Sequence, residues 1–214
     1  MDNPFNLVVP RDEEELINED FLKKLSADIK KRVSDRRFIV LEGYYGTGKS
    51  LYLKRLYKRL KTKKQELDFT EVIVTVLEGK VPVKNKSLFI KNFDLMQGLN
   101  DDQVFRLAQA ILKLTKEGMI ILAACRKETL KKLYEANPLI RSKTNRIALP
   151  SLSFEQVRDL IIKRLNEFRP KPNESLEPFT ISELRVIWRK AKGNPRLIML
   201  LLAPLFEQRM MLKA

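Results

Sequence analysis

Histidine is missing from all 214 residues, and cysteine occurs once, as Cys125. Without histidine there is no Ser-His-Asp or Cys-His catalytic pair, and most zinc sites are excluded. A lone cysteine excludes an intrachain disulfide framework and fits a reducing compartment. The first twenty residues are acid-rich and lack an apolar stretch, so no secretory leader is expected and the expected location is cytoplasmic. Long apolar runs are also lacking. The longest, residues 197–206, is about half of what a membrane span needs and contains Pro204. What is present suffices for a core: 44% of the chain is hydrophobic and 32% charged, which excludes a disordered tail.

The charge is strongly basic, with 42 Lys plus Arg against 27 Asp plus Glu, a net of +15. Its distribution is uneven: residues 1–36 carry a net −2, residues 37–150 a net +12 and residues 151–214 a net +5. So basic a middle section points to a polyanionic partner, nucleic acid first. The competing source is the lysine-rich, ion-paired surface common in heat-stable proteins.

Apolar periodicity divides the chain in two. Residues 3–11, with Pro4 and Pro10, read as an extended lead-in. Helices are expected over 13–33, 49–61, 101–116 and 129–136, and strands over 38–41, 72–77, 87–90, 119–124 and 146–149. Short apolar strands alternating with helices predict an α/β fold with a parallel five-stranded sheet flanked by helices. After Pro150 the strands stop. Phe154, Val157, Ile161, Leu165 and Phe168 form one helical stripe, and Ile181, Leu184, Trp188 and Ala191 a second. Pro195 opens a third helix at its first position, where the missing N–H costs nothing. The expected division is therefore 1–150, an α/β unit, and 151–214, a small all-helical subdomain. A proline-rich loop is expected over 169–178.

Between the first strand and the next helix, Gly43, Tyr44, Tyr45, Gly46, Thr47, Gly48, Lys49 and Ser50 fit the P-loop pattern GxxxxGK[ST]. The chemistry accounts for each residue type. Glycines let backbone N–H groups turn inward around phosphate oxygens. The helix that follows offers its unpaired N–H groups and positive dipole end, through Leu51. Lys49 is placed to reach the β- and γ-phosphates, and the Ser50 hydroxyl to bind Mg²⁺. ATP or ADP with Mg²⁺ is the expected ligand.

The P-loop lies between a lead-in with Asn3-Pro4-Phe5 and Val9-Pro10-Arg11 and a helical tail with Gly193-Asn194-Pro195-Arg196. In this arrangement the chain resembles AAA+ ATPases of the initiator type. These are the origin-recognition and DnaA-like proteins, with the related transposition regulators and archaeal STAND-like ATPases. The likeness covers nearly the whole chain. It implies that residues 1–12 wrap the adenine on the α/β side, with Val9 and Arg11 as contacts. It also implies that residues 151–214 are the lid, and that Arg196 is the sensor 2 arginine at the γ-phosphate. A local reason accompanies the last point. Asn194 can cap the helix begun by Pro195, fixing Arg196 in its first turn.

Two departures from that family bear on catalysis. The second acidic motif falls at Lys91-Asn92-Phe93-Asp94. Lys91 stands where the family holds Mg²⁺ through water, Asn92 where it keeps a general base, and asparagine cannot take a proton from water. Asp94 is the one acid nearby and is expected to recover part of the metal role. At the sensor 1 position Cys125-Arg126 replaces the Asn or Thr of replicative members. Arg126 can still contact a γ-phosphate, and Cys125, with no base to activate it, reads as a core residue. ATP binding is thus better supported than ATP hydrolysis.

The family implies self-association, with an arginine reaching the neighbouring ATP in trans. Arg141 matches that position best and Arg146 second. The sequence ends after the lid without a winged-helix or helix-turn-helix pattern, so contact with duplex DNA is expected through basic faces rather than base reading. Lys54, Arg55, Lys58, Arg59, Lys61, Lys63 and Lys64 form the densest such patch. The leading functional expectation is an ATP-dependent DNA-binding regulator or loader, as in replication or transposition. The alternative is a nucleotide-gated switch with weak or no hydrolysis that controls a protein partner. A P-loop small-molecule kinase fits neither end of the chain.

Overall fold

The computed structural model describes residues 3–5, 19–32, 37–59, 63–80 and 86–211. Val9, Arg11, Lys61 and residues 13–18 of the expected first helix lie outside the described residues. The chain divides into two compact units at Leu149–Pro150.

The larger unit is an all-parallel five-stranded sheet. Its elements in chain order are α1 (Glu19–Arg32), β1 (Phe38–Glu42), α2 (Lys49–Arg59), β2 (Lys64–Asp68), α3 (Phe69–Leu77) and β3 (Ser87–Lys91). A 3₁₀ turn (Phe93–Gly98) leads to α4 (Asp101–Lys116), β4 (Ile120–Cys125), α5 (Lys127–Ala136), α6 (Leu139–Lys143) and β5 (Thr144–Ala148). The strand order is β2-β3-β4-β1-β5. β1 is central, its Phe38 level with Ile121 of β4 and Thr144 of β5. Successive side chains of a buried strand serve opposite faces. Phe38 and Val40 of β1 enter one core with Leu88, Ile90, Ile121 and Ala123, packed against Phe69, Val72, Leu107, Ile111 and Leu130 of the helices on that face. Ile39, Leu41, Phe89 and Leu122 are just as buried. Tyr57 of α2 meets Phe89 edge-on at 4.5 Å, and Phe21 of α1 meets Tyr52 at 5.6 Å.

One expected strand is a helix. Residues 72–77 are β-branched, yet they form most of α3. Asp68 caps it by accepting from the Thr70 N–H. Phe69, Val72, Ile73 and Val76 recur at helical spacing and are buried, while Val74 is exposed. Burial of that stripe outweighs the modest β-preference of valine and isoleucine. The strand taking its place is Lys-Gln-Glu-Leu-Asp, a polar edge strand that no apolar pattern announces. Charged residues on an exposed edge also discourage pairing with other chains. The other strands and helices lie within one to three residues of expectation, apart from ends falling outside the described residues.

The smaller unit contains α7 (Phe154–Asn166), α8 (Ile181–Ala191) and α9 (Pro195–Met211). Capping boxes start α7 (Ser153 with Gln156) and α8 (Thr180 with Glu183). Val157, Ile161, Leu165, Leu184 and Ala191 of the two expected stripes are buried, whereas Ile181 is exposed in the first turn of α8. Arg169 organises the loop after α7, donating to Asn166 Oδ1, Asn173 Oδ1 and the Ser175 and Glu177 carbonyls.

Asn3–Phe5 group with this helical unit, whereas the lead-in was expected on the α/β side. Phe5 is buried edge-on against Phe179 (5.4 Å) and Phe206 (5.6 Å). Asn3 Nδ2 donates to the Ala203 carbonyl (2.9 Å) and to Glu207 Oε1 (2.8 Å). Burying an aromatic ring outweighs the preference of Pro4 for an extended path.

Candidate functional site

β1 ends at a loop that turns into α2, at the carboxyl edge of the sheet, where open α/β folds bind ligands. Gly46 (φ 82°) and Gly48 (φ 84°) take left-handed conformations that side chains resist, so glycine is required at both turns. The Tyr44 carbonyl draws the loop together, accepting from Thr47 Oγ1 at 2.8 Å and Lys49 Nζ at 3.0 Å. Lys49 Nζ also donates to the Gly43 carbonyl at 2.9 Å. Lys49 and Ser50 open α2, whose first turn holds no acidic residue to oppose an anion at the dipole's positive end. Tyr44 and Tyr45 are exposed on the loop. Burial pulls the Lys49 ammonium below its ordinary pKa, against the opposing pull of the Asp94 carboxylate.

Three expected residues meet here. Asp94 Oδ2 lies 3.9 Å from Lys49 Nζ, and Asp94 Oδ1 lies 3.6 Å from Arg126 Nε. Oδ1 also accepts from the Arg126 N–H and the Thr129 hydroxyl, both at 2.7 Å. Asp94 therefore caps α5 from a distance, because Arg126, the N-cap residue, makes no capping bond of its own. That leaves Oδ2 directed at the phosphate loop. Thr129 went unnoticed in the sequence, since its partner is 35 positions away. Cys125 is buried and its thiol is pushed far above the ordinary value by that burial, which fits its reading as a core residue.

Among the described residues, no cluster of three or more Asp, Glu or Cys side chains could hold a metal by itself. The donor set present, one serine hydroxyl and one carboxylate, suits Mg²⁺ only when phosphate oxygens supply further ligands. Lys91 is turned to the edge strand, 3.8 Å from Glu66 Oε1. Asn92 donates from Nδ2 to Asp68 Oδ2 at 2.6 Å.

The remaining candidates are spread over the fold. Arg196 is exposed in the first turn of α9, and Asn194 does cap that helix, accepting from the Leu197 N–H at 3.2 Å. Arg141 is exposed on α6, its guanidinium 6.0 Å from the Tyr134 ring. Arg146 is held within its own chain: Nε and Nη2 each stand 2.6 Å from a carboxylate oxygen of Glu42, at the end of β1. Of the basic patch, Lys58, Arg59 and Lys63 are exposed, and Lys54 and Arg55 are half-buried. Lys64 is folded back, its ammonium 4.4 Å over the Tyr57 ring and donating to the Tyr57 carbonyl.

No protein-family model matches the sequence, and no curated protein matches it. The structure does find likenesses. The Aeropyrum pernix ORC1 protein, solved in complex with DNA, is 17% identical over 96% of this chain and 62% of its own, with a TM-score of 0.56. The Thermotoga maritima RuvB Holliday junction branch migration motor is 17% identical over 92% of this chain and 64% of its own, at 0.58. Drosophila ORC bound to DNA is 16% identical over 92% and 56%, at 0.55. This chain thus spans less than two thirds of these proteins, and at such identity the likeness concerns the fold alone: a parallel five-stranded sheet flanked by helices, with helices after it.

Proposed function

We propose that this chain binds Mg-ATP at Gly43–Ser50 and uses the bound nucleotide to control its assembly on duplex DNA. The observation that carries the reading is the loop itself: two left-handed glycines, a cation and an unopposed helix N-terminus at the carboxyl edge of a parallel sheet. Lys49 holds the β- and γ-phosphates, Ser50 the Mg²⁺, with Asp94 Oδ2 reaching it through water. Arg126 neutralises the γ-phosphate. Arg141 is the arginine offered to a neighbouring copy, because Arg146 is committed to Glu42.

The net charge of +15 supports a DNA partner, as do fold neighbours that were themselves solved with DNA. The contact proposed is with the phosphate backbone, through Lys54, Arg55, Lys58, Arg59 and Lys63. The test is DNA binding with and without ATP across a range of salt. Each phosphate neutralised on duplex DNA contributes about 0.9 to the slope of log K against log salt. Alanine at Lys54, Arg55, Lys58 and Arg59 together is therefore expected to reduce that slope by roughly 3 to 4. An unchanged slope removes this face from the interface. Failure of the unsubstituted protein to bind at low salt, with or without ATP, ends the DNA reading.

A second reading, a nucleotide-gated switch acting on a protein partner, is favoured by one observation. Lys91 is engaged by Glu66 and Asn92 carries no base, so hydrolysis is slow and the ATP-bound state long-lived. Fast turnover removed by Lys49→Ala would rule this reading out.

A further inference from the structure

We propose that the exposed face of α8 is a second surface for the phosphate backbone of duplex DNA, carried by Arg185, Arg189, Lys190 and Lys192. This rests on the reading of DNA as the partner and gives the helical unit a contact of its own. The sequence fixes which side of α8 is buried. Leu184 and Ala191 enter the core of the unit, with Ile187 and Trp188 packed against it. The opposite arc of a helix so oriented holds Ile181, Ser182, Arg185, Val186, Arg189 and Lys190, and all six are exposed. Lys192 follows them, exposed, as the C-cap.

These cations have no acid to answer them. Elsewhere an exposed helical cation meets a carboxylate one turn away, as Arg106 meets Asp102 at 2.9 Å and Lys131 meets Glu135 at 3.5 Å. Among the described residues, no carboxylate pairs with Arg185, Arg189, Lys190 or Lys192. The one acid of α8, Glu183, is half-buried and already taken. It accepts from the Thr180 N–H and hydroxyl, both at 2.8 Å, and pairs with Arg209. Arg185 and Arg189, four positions apart, repel each other. The helix dipole favours Arg189 and Lys190 in the last turn, but it does not account for Arg185 in mid-helix. The Arg185 guanidinium instead lies 5.2 Å over the Phe154 ring, which orders it at the surface. Lys192 adds a cost of its own. It sits at φ 50°, ψ 38°, where glycine or asparagine would be at ease, so a cation is kept there against backbone preference.

From Arg185 to Lys192 is about 10 Å along the helix direction. Duplex DNA presents about six phosphate charges over such a length. Four cations with no internal partner complement that array, and each phosphate they neutralise releases counterions. An anionic lipid surface also attracts cations. The two aliphatic residues of this face, Ile181 and Val186, are too small an apolar area to enter a bilayer, so DNA is the better match.

The decisive variant combines Arg189→Gln, Lys190→Gln and Lys192→Asn. Glutamine suits an exposed helix and asparagine suits the left-handed C-cap. Arg185 is left in place because it also packs on Phe154. The slope of log K against log salt for duplex DNA is expected to fall by roughly 2 to 3. The control combines Lys80→Gln, Arg106→Gln and Lys131→Gln, three acid-paired cations of the α/β unit. It removes the same net charge and is expected to change the slope by less than about 0.5. A charge-keeping variant, Arg189→Lys with Lys190→Arg and Lys192→Arg, is expected to retain the slope. Trp188 lies on α8, so its fluorescence in urea checks that the helix stays folded. Should the triple variant be destabilised, Arg189→Gln and Lys190→Gln singly carry the test, each with an expected loss of about 0.9. An unchanged slope in the neutral variants overturns the proposal, as does an equal fall in the control, which would reduce the effect to net charge. Loss of slope in the charge-keeping variant overturns it too. So does an unchanged DNA slope with lost binding to vesicles of phosphatidylserine and phosphatidylcholine in equal parts, which would assign the face to lipid. If the unsubstituted protein binds no DNA, this proposal falls together with the DNA reading; if it binds and only the α8 variants are silent, this proposal falls alone.

Discussion

Alanine at position 49 is expected to lower the affinity for Mg-ATP by about 10²–10³-fold while leaving the protein folded. A charge-assisted hydrogen bond contributes roughly 1.5–3 kcal/mol, and two such bonds to phosphate oxygens reach about 3–4 kcal/mol, hence the fold-change. Among the described residues, Lys49 Nζ bonds to the Gly43 and Tyr44 carbonyls of its own loop, with Asp94 at 3.9 Å. Water can replace it there, so the melting temperature without nucleotide is expected to stay within a degree or two. Nucleotide at about 100 times its dissociation constant stabilises a protein by roughly 2.7 kcal/mol, and in Lys49→Ala at the same concentration that increment should fall to about 0.4 kcal/mol or less. Calorimetry and thermal melts with and without Mg-ATP measure both effects. Equal uptake by the two proteins would show that the loop does not grip the phosphates. A pH dependence follows with a definite sign. Burial lowers the Lys49 pKa, and phosphate binds the protonated form, so affinity falls as pH rises through that lowered value. Lys49→Ala should lose this alkaline limb.

The P-loop was legible because its chemistry is local: eight consecutive residues hold the glycines, the cation and the hydroxyl, and the flanking apolar runs give the strand and the helix. The cap on α9 was legible for the same reason, Asn194 and Pro195 being adjacent. What escaped the sequence depends on distance. Asp94 and Thr129 meet across 35 positions, Glu42 and Arg146 across 104, and Asp68 and Asn92 across 24. None of these pairs has a spacing rule, because the five strands are brought side by side only by the sheet. The misread helix α3 shows a different failure. Reading from Val72 onward displays an unbroken run of β-branched residues. Starting at Asp68 instead displays a cap followed by apolar residues at 69, 72, 73 and 76. Asn3–Phe5 were misplaced because Phe5 finds its partners, Phe179 and Phe206, 174 and 201 positions away.

Gly193→Ala is expected to destabilise the helical unit by about 3–4 kcal/mol. Gly193 is left-handed (φ 69°) at the turn between α8 and α9. An added Cβ would stand 2.4 Å from the Leu152 carbonyl oxygen and 3.0 Å from the Leu152 nitrogen, both backbone atoms that no rotamer change can move aside. The left-handed conformation alone costs alanine about 1–2 kcal/mol. Relieving the clash opens a turn in which the Leu152 N–H donates to the Gly193 carbonyl at 3.0 Å and Trp188 Nε1 donates to the Leu152 carbonyl at 2.9 Å. Each of those bonds contributes about 1 kcal/mol. Trp188 is the chain's one tryptophan, so its fluorescence during urea unfolding reports on this unit. Gly79→Ala, which lies in the α/β unit and is followed by circular dichroism during the same unfolding, separates the two causes. Gly79 is also left-handed (φ 72°), but an added Cβ there meets nothing within 4 Å, so only the conformational cost of about 1–2 kcal/mol is expected. Equal losses in the two variants would mean that Leu152 yields and the turn does not fix the start of α9. A larger loss at Gly193 means that the packing of Leu152 against Gly193 sets where Arg196 stands.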